Sequence, residues 1–164
     1  MPPGPATSRF ACFDQSCYKR VSQAQETIGV FRIILAEDNP GDVRLFREAL
    51  KSRSLPFEIQ LAEDGQKAIA LLRGAALPNA ARPDLIVLDI HLPKSDGELV
   101  LREIRTHKSL DAVPVVMLTS SPSPDDKAMA TRMGARLYIE KSSNLDELME
   151  VGKKIEDLLR KRTG

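Results

Sequence analysis

Tryptophan is absent from this 164-residue sequence, aromatic residues make up 4% of it, and cysteine occurs twice, at Cys12 and Cys17. Two thiols with four residues between them, and no second pair or nearby histidine, lack the spacing of a metal knuckle. Free thiols in a reducing compartment are the expectation. Long apolar runs are missing too. No stretch approaches the roughly 18 residues that a membrane span needs, and the first 25 residues have no apolar core of a secretory signal. A soluble, cytoplasmic protein with no membrane association is expected. An excess of one charge is also missing: 24 Lys and Arg face 23 Asp and Glu. Residues 1–29 hold three basic and two acidic groups, which leaves 21 of each in the remainder. Bulk charge therefore offers no footing for nucleic acid.

What is present is a globular balance, 42% hydrophobic and 29% charged, in a length suited to one domain with some extra chain. The extra chain lies at the start. Residues 1–29 are rich in Pro, Ser, Gln and Ala with no sustained periodicity beyond a short helical stretch around Tyr18 to Thr27, so they read as a flexible extension. The domain is expected over residues 30–164. Phe31 to Ala36 is a short apolar, β-branched run that suits a buried strand. Asn39-Pro40 can cap and begin a helix with Val43, Phe46, Ala49 and Leu50 on one face.

The strand-then-helix unit recurs four more times without repeating its residues. Phe57, Ile59 and Leu61 alternate with Glu58 and Gln60, the mark of a half-exposed edge strand, and Ala68, Ile69 and Leu72 mark the helix after Gly65. Leu85 to Leu88 and Val113 to Leu118 read as central strands, joined by a helix carrying Val100, Leu101 and Ile104. Ser123-Pro124-Asp125-Asp126 opens a fourth helix that Gly134 closes. Leu137 to Ile139 is the fifth strand. Asn144 with Glu147 opens a last helix whose apolar set is Leu145, Leu148, Ile155, Leu158 and Leu159, with Arg160, Lys161 and Arg162 at its negative end. Five alternations predict an α/β fold: a five-stranded parallel sheet, doubly wound, with helices on both faces.

Such sheets bind ligands beyond the carboxyl ends of their strands. Those ends carry Glu37 and Asp38, Asp89, Thr119 and Ser120, and Lys141. Three converging carboxylates repel one another, and the usual remedy is a hard divalent cation; Mg²⁺ favours carboxylate, water and phosphate oxygens. An Asp beside such an ion can attack phosphorus, while Lys and Thr receive the transferred charge. Asp89 is the candidate nucleophile. Taken singly, the acidic pair would merely begin a helix and Lys141 would be a solvated charge; the joint pattern argues otherwise.

In order, Ala36-Glu37-Asp38-Asn39, Leu85 to Asp89, Leu92-Pro93-Lys94-Ser95-Asp96-Gly97, Val115 to Ser120 and Tyr138-Ile139-Glu140-Lys141 resemble the receiver domain of two-component response regulators. The separations of 30 residues from Asp89 to Thr119 and 22 from Thr119 to Lys141 fit that family. The resemblance covers about residues 30–160. Asn39-Pro40-Gly41-Asp42 with Leu45-Phe46, and Thr119-Ser120-Ser121, look most like the stand-alone regulators of bacterial phytochrome histidine kinases.

The resemblance implies a flavodoxin-like, CheY-like sheet with strand order 2-1-3-4-5. It implies that Asp89 accepts a phosphoryl group and that Mg²⁺ is held by Glu37, Asp38, Asp89 and the backbone carbonyl of His91. Lys141 would bind the phosphate, Thr119 would hydrogen-bond it, and Thr119 and Tyr138 would act as the switch. The partner would be a sensor histidine kinase, with a phytochrome the specific candidate. Because the sequence ends soon after the fifth helix, output through protein contact is expected, including a homodimer through helix four, strand five and helix five with Asp125, Asp126, Arg132 and Arg136 at its edge. His91 and His107 are expected in loops with no side-chain catalysis. Ser142 stands where the family usually has a cis Pro, and without Pro a cis bond would cost roughly 3 kcal/mol. Two rivals remain at this point: a phosphorylation-independent pseudo-receiver, which commonly loses one of these residues, and an Asp-nucleophile phosphatase, which would carry a second Asp where His91 stands.

Overall fold

The computed structural model describes residues 29–120 and 122–161. The proposed extension, with Cys12, Cys17 and the stretch Tyr18 to Thr27, lies outside the described residues save for Gly29, as do Ser121 and Arg162. In chain order the elements are β1 (Phe31–Ala36), α1 (Pro40–Lys51), β2 (Phe57–Ala62), α2 (Gly65–Ala76) and β3 (Leu85–Asp89). There follow α3 (Gly97–Thr106), a 3₁₀ turn (Lys108–Leu110), β4 (Val115–Thr119), α4 (Pro124–Arg132), β5 (Leu137–Glu140) and α5 (Leu145–Arg160).

All strand pairings are parallel, in the order β2-β1-β3-β4-β5. From β1 the chain steps outward to β2, crosses back to β3, and then runs the other way through β4 and β5. The reversal puts the switch point between β1 and β3, where an open α/β sheet offers its binding crevice. Residue alternation along the strands divides the core into two layers. Ile34, Ile86, Leu88, Val115 and Met117 face α2, α3 and α4, through Leu72, Val100, Leu101, Ile104 and Ala130. Ile33, Leu35, Val87, Val116 and Leu118 face α1 and α5, through Val43, Phe46, Leu50, Ile155 and Leu159. β1, β3 and β4 are buried almost throughout, whereas β2 alternates and leaves Leu61 exposed, as an edge strand should.

Local chemistry fixes the helix starts. The Asn39 side chain accepts the N–H groups of Gly41 and Asp42, Asp64 accepts that of Lys67, and Ser123 accepts that of Asp125. Gly134 ends α4 at φ +78°, a left-handed conformation that glycine adopts without penalty. α1 and α5 pack so closely that a Cβ on Gly152 would run into the carbonyl oxygen of Ala49.

The structure corrects three expectations. β4 begins at Val115 and not at Val113, because Pro114 has no N–H to give the ladder and Val113 is bonded back to Leu110. Leu145 does not join the buried stripe of α5: it is 69% exposed, one turn ahead of the half-buried Leu148. The opening of α5 also differs from a Glu147 capping box. Asn144 accepts from Asp146, while the Asn144 N–H donates to Ser142 Oγ at 3.0 Å.

Candidate functional site

Parallel register brings four strand ends to one rim. Glu37 and Asp38 follow β1, Asp89 ends β3, Thr119 ends β4 opposite Glu140, and Lys141 follows β5. The Lys141 N–H donates to the Thr119 carbonyl at 2.8 Å, which fixes the backbone from which its side chain reaches inward. Its Nζ lies 2.6 Å from Asp89 Oδ2, 2.7 Å from Glu37 Oε2 and 2.9 Å from Asp42 Oδ2. Asp89 is 4% exposed, and its other oxygen, Oδ1, accepts the His91 N–H at 2.9 Å.

Glu37 is 1% exposed and its Oε1 accepts the Asn39 N–H at 3.0 Å. Its Oε2 is paired with the ammonium, out of contact with water. Burial pushes the Glu37 carboxyl above the usual glutamate range, against the pull of Lys141 and the Asn39 N–H. For Lys141, burial alone would lower the pKa, but Asp89, Glu37 and Asp42 outweigh it and hold the ammonium well above the ordinary lysine value.

One oxygen each from Glu37, Asp38 and Asp89 lies within 4.8 Å of the others, with Asp38 exposed and the other two buried. An all-oxygen donor set of three carboxylates, two buried and one open to water, fits a hard divalent cation. The sequence-derived residues thus meet at one rim, with two at its margins. The exposed His91 contributes a backbone N–H to Asp89. The half-buried Tyr138 sits on β5, and its hydroxyl accepts the Ser123 N–H at 3.4 Å, joining β5 to the start of α4. His107 ends α3, with Nε2 3.1 Å from Glu103, away from the rim. No cis peptide bond occurs among the described residues, so Ser142 follows Lys141 through a trans bond.

Sequence reasoning missed two groups. Asp42 entered it only as part of a subgroup pattern, yet its carboxylate is one of three on Lys141; its place in the first turn after the acidic pair was the available signal. The second group braces the loop after Asp89. Asp64 Oδ2 accepts from Lys94 Nζ at 2.6 Å, with Lys94 held at φ +65°, and the Gly65 N–H donates to the Pro93 carbonyl. Gly97 lies so near the acceptor strand that a Cβ there would be 2.5 Å from the Asp89 carbonyl oxygen.

Comparison with known proteins agrees with this geometry. The profile of the response regulator receiver domain matches residues 33–153. Response regulator Rcp1 of Synechocystis sp. is 39% identical over 125 residues, 76% of this chain and 85% of that protein. The crystal structure of the phosphorylated cyanobacterial phytochrome response regulator RcpA superposes with a TM-score of 0.69 at 41% identity, covering 79% of this chain and 94% of the other. The Mn²⁺-bound form of Rcp1 gives 0.67 at 38% identity, covering 77% and 92%. With fold, rim and sequence in accord, the chain belongs to the family of response regulator receiver domains.

Proposed function

We propose that this protein is a phosphoacceptor of a two-component relay, taking a phosphoryl group from a sensor histidine kinase onto Asp89 and signalling through protein contacts. The observation that carries this reading is the buried Asp89 carboxylate, paired with Lys141 and grouped with two further carboxylates. In the transfer a carboxylate oxygen of Asp89 forms a bond to phosphorus as the phosphorus–nitrogen bond of a phosphohistidine breaks. The bonding pair leaves with the imidazole nitrogen, and an acyl phosphate results. Water attack at phosphorus later returns the carboxylate and inorganic phosphate.

Glu37, Asp38, Asp89 and the His91 carbonyl would hold Mg²⁺, which supplies positive charge against the phosphoryl oxygens. Lys141 donates to a phosphoryl oxygen and Thr119 offers its hydroxyl to another. Drawing Thr119 toward the phosphoryl group repacks the neighbourhood of Tyr138, and its hydroxyl bond to Ser123 passes that change to α4. The output face is then α4, β5 and α5, where Asp125, Arg132 and Arg136 are exposed and available to a homodimer. Similarity to RcpA and Rcp1 supports a kinase of the phytochrome class as partner. It also supports a divalent cation at the rim.

The test is intact-mass analysis after incubation with Mg²⁺ and acetyl phosphate. One phosphoryl group should be gained by the parent and none by Asp89→Asn, which keeps the volume and removes the nucleophilic charge. Persistent labelling of the variant, or phosphate release by the parent at many turnovers per second, would overturn the assignment.

A further inference from the structure

Lys141 has three ammonium protons and three carboxylate neighbours, and the proposed chemistry diverts two of those neighbours. Glu37 belongs to the trio suited to the cation, which would compete with the ammonium for its carboxylate. Asp89 loses its negative charge when it becomes the acyl link of the phosphorylated state. Asp42 does neither. It lies outside the trio and keeps a hydrogen bond from Lys141 at 2.9 Å.

Its backbone is also fixed to the same rim. The Glu37 Oε1 accepts the Asn39 N–H, Asn39 Oδ1 accepts the N–H groups of Gly41 and Asp42, and Asp42 Oδ2 accepts Lys141. Lys141 closes this circuit onto Glu37. The first turn of α1 is thereby held in one phase against the end of β5.

Resting on the phosphoacceptor reading, we propose that Asp42 is a positioning residue for phosphoryl transfer, anchoring the Lys141 ammonium while its other two carboxylates are drawn away. A lysine side chain is long and flexible, so an ammonium tethered by one persistent hydrogen bond reaches the transferring group already oriented. Asp42 touches neither the phosphorus nor the cation; it acts through Lys141.

The experiment follows the initial rate of Asp89 labelling by acetyl phosphate across Mg²⁺ concentrations, by intact mass. Asp42→Ala should slow labelling about tenfold, the cost of losing one hydrogen bond to a charged group. The Mg²⁺ concentration for half-maximal rate should stay at the parental value, since the cation ligands are intact. Asp42→Asn, which keeps an oxygen acceptor, should recover part of the rate. In a Lys141→Met background the Ala change should have no further effect, because the residue it positions is gone. A labelled parent with Asp42→Ala equally fast overturns the positioning role alone. Effects that multiply in the double variant, or an Asn variant as slow as the Ala variant, also overturn it. A parent that takes no label at all overturns this role together with the phosphoacceptor reading.

Discussion

Asp38 and Glu37 are adjacent, yet one is exposed and the other has 1% of its surface open to water. On the proposed reading that asymmetry would give them different tasks: Glu37 is fixed by Asn39 and Lys141, while Asp38 would meet an incoming hydrated ion. Asp38→Asn should therefore raise the Mg²⁺ needed for half-maximal labelling by about tenfold or more, since even outer-shell changes at metal sites cost that much. Mg²⁺ titration of the labelling rate checks this, and an unchanged midpoint would move the cation elsewhere. Glu37 and Asp89 were legible in the sequence because each is a charged residue directly following an apolar run, and Lys141 because it stands just past the short strand that ends in Ile139-Glu140. Asp42 was not, because an acidic residue in the first turn of a helix is favoured by the helix dipole whether or not it touches anything.

At the scale of elements, α5 is tied to α1 and the segment after it by Gly152 and by Glu156. Glu156 accepts from Arg53 at 2.6 Å and from Arg160 at 2.8 Å. Arg53 first, then Arg160, holds its carboxyl below the ordinary glutamate value of about 4.5. A lowered folded-state pKa contributes stability above the unfolded value and loses it as pH falls through the folded one. Glu156→Gln should thus cost about 1 kcal/mol near neutral pH. The difference from the parent should shrink as pH drops below the ordinary glutamate value, as read by urea unfolding at several pH values. A gap that persists at low pH would assign the effect to packing. The apolar faces of α1 and α3 were legible because helical periodicity leaves a stripe in the sequence. The start of β4 and the exposure of Leu145 were not, since Val113 is an apolar residue ahead of the strand and Leu145 one in a first helical turn that no neighbour covers.

For the molecule as a whole, residues 37 and 141 meet only because the strand order folds the chain back at β3. Continuous apolar runs in three strands and one alternating strand made the central and edge positions legible. The meeting face of a partner leaves no such periodic mark. If α4, β5 and α5 carry the output, phosphodonor with Mg²⁺ should raise the weight-average mass in sedimentation of the parent but not of Asp89→Asn. Identical profiles with and without donor would remove the homodimer from the mechanism.

The hydroxyl of Tyr138, bonded to Ser123 across the gap between β5 and α4, has a further use. The chain has no Trp and two Tyr, so its near-ultraviolet emission comes from Tyr18 and Tyr138. A Tyr18→Phe variant leaves Tyr138 as the dominant intrinsic fluorophore, and tyrosine emission depends on what its hydroxyl bonds. The molecule therefore carries its own optical gauge at the joint between strand and helix, one that needs no dye, no fusion and no added probe.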